Sequence, residues 1–340
     1  MNKKEDNVKI ITTGIASTLV PEWHGMPRKG ANMLNRYTRR RAYARLAAIL
    51  LSFIMTAAYT LTANATDTIA GQAAAQSNET VSLTEGSDLR SAKERSVTVY
   101  IDSSIYQGRA FVSQSVTYVG IREFSMAMGI SSVSWDSATK TAYLSSDSLS
   151  VSAKNGDLYI VANDRYLWAQ SGIIIKSGTM YVPLRTLAKA FGCTVSWDQG
   201  SFSAKVSGRG ALKGGSSYYD SDEVFWLARI IHAEAKGEPM LGKVAVGTVV
   251  LNRVKSSLFP NTIYSVIFDK KNGVQFTPTS NGAIYNNPSA ESIIAAKLCL
   301  DGASISDKAL FFVNEAIAQS SWVSDNRQFI VTVGNHKFYA

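Results

Sequence analysis

The chain is poor in the residues that hold metals and cross-links. Its 340 residues contain three histidines, His24, His232 and His336, and two cysteines, Cys193 and Cys299. There is no H-x-x-x-H pair and no paired-cysteine spacing, so the framework of a zinc site is missing. That speaks against a zinc amidase or metallopeptidase, and no cofactor or metal is implied. One cysteine in each of two modules does not make a disulfide scaffold. Basic charge is also scarce where a nucleic-acid face would need it. The net charge is +9, but residues 1–65 hold ten Lys/Arg against three Asp/Glu and supply seven of the nine. The excess belongs to an N-terminal targeting region, and nucleic acid is not an expected partner.

That region reads as an export signal. Arg36, Arg39, Arg40, Arg41 and Arg45 form a basic segment, residues 46–62 are uncharged and mostly apolar, and Ala63-Asn64-Ala65 has the A-x-A cleavage pattern. The apolar run is short for a membrane span of about 20 residues. Residues 1–65 are therefore expected to be a basic N-terminus and a cleaved signal, with a retained anchor as the alternative. Contact with a membrane is expected only through this segment. Met33 begins a more ordinary signal peptide than Met1 does, and N-terminal mapping of the precursor checks that start. Residues 66–96, rich in Ala, Ser, Thr and Gln without periodicity, read as a flexible linker.

Residues 97–208 contain an internal repeat. Tyr118-Val119-Gly120-Ile121-Arg122 matches Tyr181-Val182-Pro183-Leu184-Arg185, Met126-Ala127-Met128-Gly129 matches Lys189-Ala190-Phe191-Gly192, and Val133-Ser134-Trp135-Asp136 matches Val195-Ser196-Trp197-Asp198. Each unit reads as strand, short helix, glycine turn, strand. This module resembles the copper-amine-oxidase N-terminal-like domain, a stalk module of exported proteins. It has no histidine, so copper is not expected. A glycine-rich stretch, 209–219, reads as a flexible hinge after it.

The most informative stretch follows, A-R-I-I-H-A-E-A-K-G-E-P at 228–239. Asp220 and Glu223 mark a capped helix start. Val224, Leu227, Ala228, Ile231 and Ala235 recur at helical spacing as one apolar stripe. Glu234 projects on the border of that stripe, whereas His232 projects away from it and is expected to be exposed. A second helix, over 241–254, is apolar on nearly every side, and Gly242 and Gly247 allow close neighbours. A carboxyl held beside such a core has its pKa raised, which is how a glutamate becomes a general acid near neutral pH.

Residues 220–340 resemble the cell-wall hydrolase family of the SleB and CwlJ type. The resemblance is carried by A-R-I-I-H-A-E-A-K-G-E-P, V-A-V-G-T-V-V-L-N-R-V, F-P-N-T-I-Y-S-V-I-F, G-V-Q-F-T-P, A-L-F-F-V-N and the terminal G-N-H-K-F-Y, in that order. It implies an α+β fold, a small lysozyme-like catalytic domain after the α/β-repeat stalk domain. It implies cleavage of peptidoglycan glycan strands, with the first glutamate of E-A-x-G-E, here Glu234, as catalytic acid. Cleavage of the bond between N-acetylmuramic acid and N-acetylglucosamine by one acid fits a lytic transglycosylase acting on cell wall or spore cortex. A non-catalytic glycan-binding protein and a stem-peptide amidase are the alternatives. The location expected is the cell wall, the spore envelope or the outer face of the membrane. The stalk then serves to dock the enzyme at the wall or as a passive spacer.

Seven further residues are candidates for substrate binding. Asn252 and Arg253 stand at the end of the apolar helix; Arg253 is expected to pair with a carboxylate such as Glu238, and Asn252 to cap or bind sugar amides. Gln275 and Phe276 are placed along the glycan groove, and His336 and Tyr339 near the site. Cys299, in an amphipathic helix over 290–300 ended by Gly302, is expected in the core.

Overall fold

In a computed structural model of the chain, residues 94–340 are described, apart from Asn272 and Gln319. The expected export signal and most of the 66–96 linker lie outside them. The described residues belong to one compact unit, Glu79–Ala340. None of their helices is long and apolar enough to cross a membrane.

The repeat folds as its pattern predicts. Strand Val116–Gly120 runs straight into helix Ile121–Ala127, Gly129 turns the chain at φ +91°, and strands Ser132–Asp136 and Thr141–Ser145 follow. The second copy is Thr179–Pro183, helix Leu184–Ala190, Gly192 at φ +66°, then Thr194–Asp198 and Ser203–Ser207. Each helix buries one face, Ile121 and Phe124 in the first and Leu184 and Leu187 in the second, in a shared core. The two leading strands pair antiparallel with Val119 opposite Val182, Tyr118 opposite Pro183 and Gly120 opposite Tyr181. Val119 and Val182 are equivalent in the repeat. Equivalent residues facing each other place a pseudo-two-fold axis through that pair.

Around it lie a central five-stranded sheet, a five-stranded antiparallel meander from Ser132 to Trp168, and a four-stranded sheet. In the last, Thr98–Ile101 runs parallel to Ser203–Ser207. The linker reading ends early: Arg95–Ser96 is already a strand, paired with Val112 and Phe111.

The C-terminal part is three long helices, several helical turns and a small sheet, the α+β arrangement expected. We call Ser221–Ala235 the glutamate helix, Met240–Lys255 the core helix and Ala290–Leu300 the closing helix. Asp220 starts the first as predicted, its Oδ1 accepting from the backbone N–H groups of Asp222 at 2.9 Å and Glu223 at 3.1 Å. The core helix is buried on nearly every side. At Gly247 a Cβ would lie 2.6 Å from Cys299 Sγ, so only glycine lets the closing helix approach this closely. The sheet is antiparallel, with His336–Tyr339 between Phe311–Val313 and Phe329–Val333.

The 209–219 segment is not a free hinge. Leu212 O accepts from Asn163 Nδ2, Gly215 N donates to Asn163 O, and Gly215–Tyr218 is a helical turn. Glycine composition reported backbone freedom but not these tertiary bonds. The stalk also closes directly on the helices. Arg165 binds Asp301 at the end of the closing helix through two bonds, Nε to Oδ2 at 2.8 Å and Nη2 to Oδ1 at 2.9 Å. Lys189 Nζ adds a bond to Oδ1 at 2.6 Å, and Tyr219 OH donates to Oδ2 at 3.3 Å. Tyr159, Tyr166 and Trp168 of the meander pack against the core of the helical part. The stalk is thus a wall of that core.

Candidate active site

Glu234 stands in the last turn of the glutamate helix, half-buried. Burial alone raises its pKa from 4.5 to about 7. Among the described residues its carboxylate has no hydrogen-bond or ion-pair partner, which is why nothing pulls the value back down. A carboxyl of this kind is half protonated near neutral pH and can both give and take a proton.

The same helix is fixed from its other sides. His232 is half-buried, not exposed as expected: its Nδ1 accepts from Ser289 N at 3.2 Å and lies 3.4 Å from Ser292 Oγ, at the start of the closing helix. Arg229 donates through Nη1 to Asn286 O at 2.6 Å. The turns Pro278–Asn281 and Ala283–Tyr285 pack against it, and the second leaves Tyr285 63% exposed.

The seven candidate binding residues fall into separate clusters, none bonded to Glu234. Glu238 does not pair with Arg253. It is buried against the C-terminal hairpin, where its carboxylate accepts from Asn335 Nδ2 at 2.9 Å and Asn335 N at 3.3 Å and lies 3.5 Å from His336 Nδ1. His336 has its pKa lowered by burial, against the opposing pull of Glu238, so its ring is neutral at pH 7. Glu238, His336 and the G-N-H-K-F-Y block are therefore joined in one structural brace.

Gly334 completes the brace. It has φ +57°, and a Cβ there would collide with the Glu238 carboxylate. Gly334→Ala is expected to cost about 2 kcal/mol or more, from left-handed strain plus that collision. Glu238→Gln, which keeps an acceptor for Asn335, should cost less. Urea unfolding of the two variants checks the order.

Arg253 is buried, and burial lowers its pKa to about 10, so it stays charged. Its guanidinium faces the rings of Phe259, Phe276 and Phe311 at 4.8, 5.2 and 5.4 Å. It donates to Leu310 O at 2.8 Å and to Gln275 Oε1 at 3.3 Å. Phe276 is core, not groove; Gln275 is the half-buried member of that pair. Asn252 does not cap its helix, whose C-cap is Ser256; it ties down the loop between the closing helix and the sheet, donating to Ser306 O at 2.8 Å and Ala309 O at 2.9 Å, which leaves its amide no hydrogen to offer a sugar. Tyr339 is buried and its hydroxyl bonds Glu315 Oε1 at 2.7 Å.

Lys243 was missed by the sequence reading. It is 2% exposed, donates to Glu238 O, and lies 2.9 Å from Glu291. A lysine inside the apolar run G-K-V-A-V was the available signal.

Residues 237–339 match the family described as Cell Wall Hydrolase, and residues 102–206 match the Copper amine oxidase N-terminal domain. Glu234 lies just before the first span. A spore cortex-lytic enzyme of Bacillus cereus is 36% identical over 120 residues, 35% of this chain and 45% of the relative. The chain thus spans under half the length of that relative. The cell wall hydrolase CwlJ of Oceanobacillus iheyensis is 32% identical over 111 residues, 31% of this chain and 77% of the relative. The catalytic domain of the germination-specific lytic transglycosylase SleB from Bacillus anthracis is 34% identical, is covered completely and takes in 38% of this chain, with a TM-score of 0.33. By the match across most of the length of CwlJ, and by residues 237–339, the chain belongs to the cell wall hydrolase family.

Proposed function

We propose that the chain cleaves peptidoglycan glycan strands between N-acetylmuramic acid and N-acetylglucosamine, as a lytic transglycosylase. It would act outside the cell, on the cell wall or the spore cortex. One observation carries the reading: Glu234 is a half-buried carboxyl with no partner among the described residues and a pKa of about 7. The names of the relatives, spore cortex-lytic enzymes and a cell wall hydrolase, support the substrate class.

The chemistry needs one carboxyl. Protonated Glu234 gives its proton to the glycosidic oxygen as the bond from C1 of the muramic residue breaks, and charge of oxocarbenium character develops at C1. The C6 hydroxyl of the same sugar attacks C1, and its proton passes to the Glu234 carboxylate. The acid is regenerated, no water is consumed, and a 1,6-anhydro end is left. The hydroxyl is already held in the reacting sugar, so its effective concentration offsets the missing second carboxylate. The exposed Tyr285 ring, on a turn packed against the glutamate helix, offers an apolar face for a neighbouring sugar.

Mass spectrometry of fragments released from purified sacculi tests this. Muropeptides ending in 1,6-anhydro-N-acetylmuramic acid are expected, at a rate that a chelator does not change. Muramic ends reducible by borohydride would mean hydrolysis and overturn the transglycosylase reading.

A further inference from the structure

The duplicated stalk carries two grooves, exchanged by the pseudo-two-fold axis at Val119 and Val182. The larger has a volume of about 770 Å³ and is framed by Arg185, Trp197 and Ala204 of the second repeat and by Ser115, Val116 and Thr117 of the first. The smaller, about 350 Å³, is framed by the equivalents Arg122, Trp135 and Ala142, with Gly178, Thr179 and Met180. Each groove is thus built from the arginine and tryptophan of one repeat and the turn of the other.

The two have diverged in charge. The smaller contains Glu123, which holds Arg109 at 2.5 Å. At the equivalent position the larger groove has Thr186, and no Asp or Glu lines it. Its two cations, Arg95 and Arg185, are both exposed and have no acidic partner there. Arg95 lies over the Phe202 ring at 3.8 Å, and Arg185 is steadied by a 2.7 Å bond to Val195 O. Trp197 is set edge-on to Phe202, and its Nε1 donates to Gln199 Oε1 at 2.8 Å. Trp168 also lines the groove, and its Nε1 is buried without a hydrogen-bond acceptor. A buried donor without a partner costs free energy unless something accepts from it.

Indole faces suit the C–H faces of pyranose rings, side-chain amides match N-acetyl groups, and guanidinium groups bind carboxylates bidentately. A cavity with all three and no anion of its own fits a sugar polymer that is N-acetylated and carries carboxylates. We propose that the larger stalk groove holds a peptidoglycan segment, its carboxylates on Arg95 and Arg185 and a sugar ring on Trp197. This rests on the peptidoglycan reading of Glu234 but concerns a different site: every lining residue lies between 95 and 204. The stalk would then fix the strand that the enzyme cuts, instead of acting as a spacer.

The test uses the full chain carrying Glu234→Gln, so that binding is read without cleavage. Co-sedimentation with purified sacculi should weaken about ten-fold or more when Arg95→Gln and Arg185→Gln are added, since two charge-assisted contacts are lost. Arg95→Lys with Arg185→Lys should retain most of the binding, and binding to the parent should fall as salt rises. Unchanged binding in the double glutamine variant overturns the proposal. Should that variant fail to fold by its melting curve, salt-independent binding of the parent overturns it equally. In the catalytically intact chain, the glutamine pair should slow cleavage of sacculi and leave cleavage of soluble glycan fragments unchanged. If the unsubstituted chain does not cut soluble fragments, the reading of Glu234 fails whatever the groove does. If it does cut them while sacculus binding ignores the arginines, only the groove proposal falls.

Discussion

Glu234→Gln is expected to lower lytic activity by about 10²–10⁴-fold, the usual contribution of a general acid. Glutamine keeps the shape of the side chain and removes the proton that the leaving group needs. The unsubstituted enzyme should be active below about pH 7 and lose activity as pH rises through that value, where burial no longer keeps the carboxyl protonated. Turbidity loss of a wall suspension reads both effects, and a variant rate near that of the parent would remove Glu234 from the mechanism. In the glutamine variant stability should move opposite to activity. The folded pKa lies above the unfolded one, so ionising the buried group costs folding energy as pH rises from about 4.5 to 7. The cost levels off above pH 7 at no more than about 3 kcal/mol. The glutamine variant escapes it, so at pH 8 it should be no less stable than the parent and should melt higher. Loss of activity with gain of stability separates a catalytic acid from a structural one.

Arg165→Ala is expected to destabilise the fold by about 3–5 kcal/mol, the cost of leaving one partner of a buried ion pair alone. The Asp301 side chain is 1% exposed and takes two bonds from Arg165. Lys189 still reaches the same carboxylate, which places the effect toward the lower end. Because the pair joins the stalk to the closing helix, denaturant unfolding of the parent should be a single transition. Replacing Arg165 and Asp301 together by apolar residues of similar size should recover much of the loss. A single Arg165→Ala variant within about 1 kcal/mol of the parent would mean that the two parts hold together without this contact.

What was legible in the sequence was local. The 3.6-residue period placed Glu234 beside the apolar stripe, Asp220 marked its helix start, and the repeat foretold two copies of strand, helix and turn. What was not legible depends on residues far apart in the chain. Glu238 is a carboxylate that the sequence offers to Arg253, yet it bonds Asn335, 97 positions on. Nothing in the local pattern around Asp301 points to its partner, because Arg165 lies 136 positions earlier. The stripe of its own helix turns His232 outward, and its partners sit at the start of another. The glycines of 209–219 gave the right backbone freedom and the wrong conclusion, because Asn163 and Asp301 use that freedom to tie the segment down.

The parallel pairing of Thr98–Ile101 with Ser203–Ser207 also has a mechanical meaning. Thr98–Ile101 follows the short strand Arg95–Ser96 at the N-terminal side of the stalk, and Ser203–Ser207 hands the chain on toward the helices. Tension between the two ends of the stalk pulls the strands lengthwise in opposite directions. Their cross-strand hydrogen bonds, Asp102 N to Val206 O at 2.8 Å included, are then loaded in shear, all at once, rather than opened one by one. A stalk sewn together at its own entrance and exit resists stretching as a unit, so a load on the chain passes through it without drawing the two repeats apart.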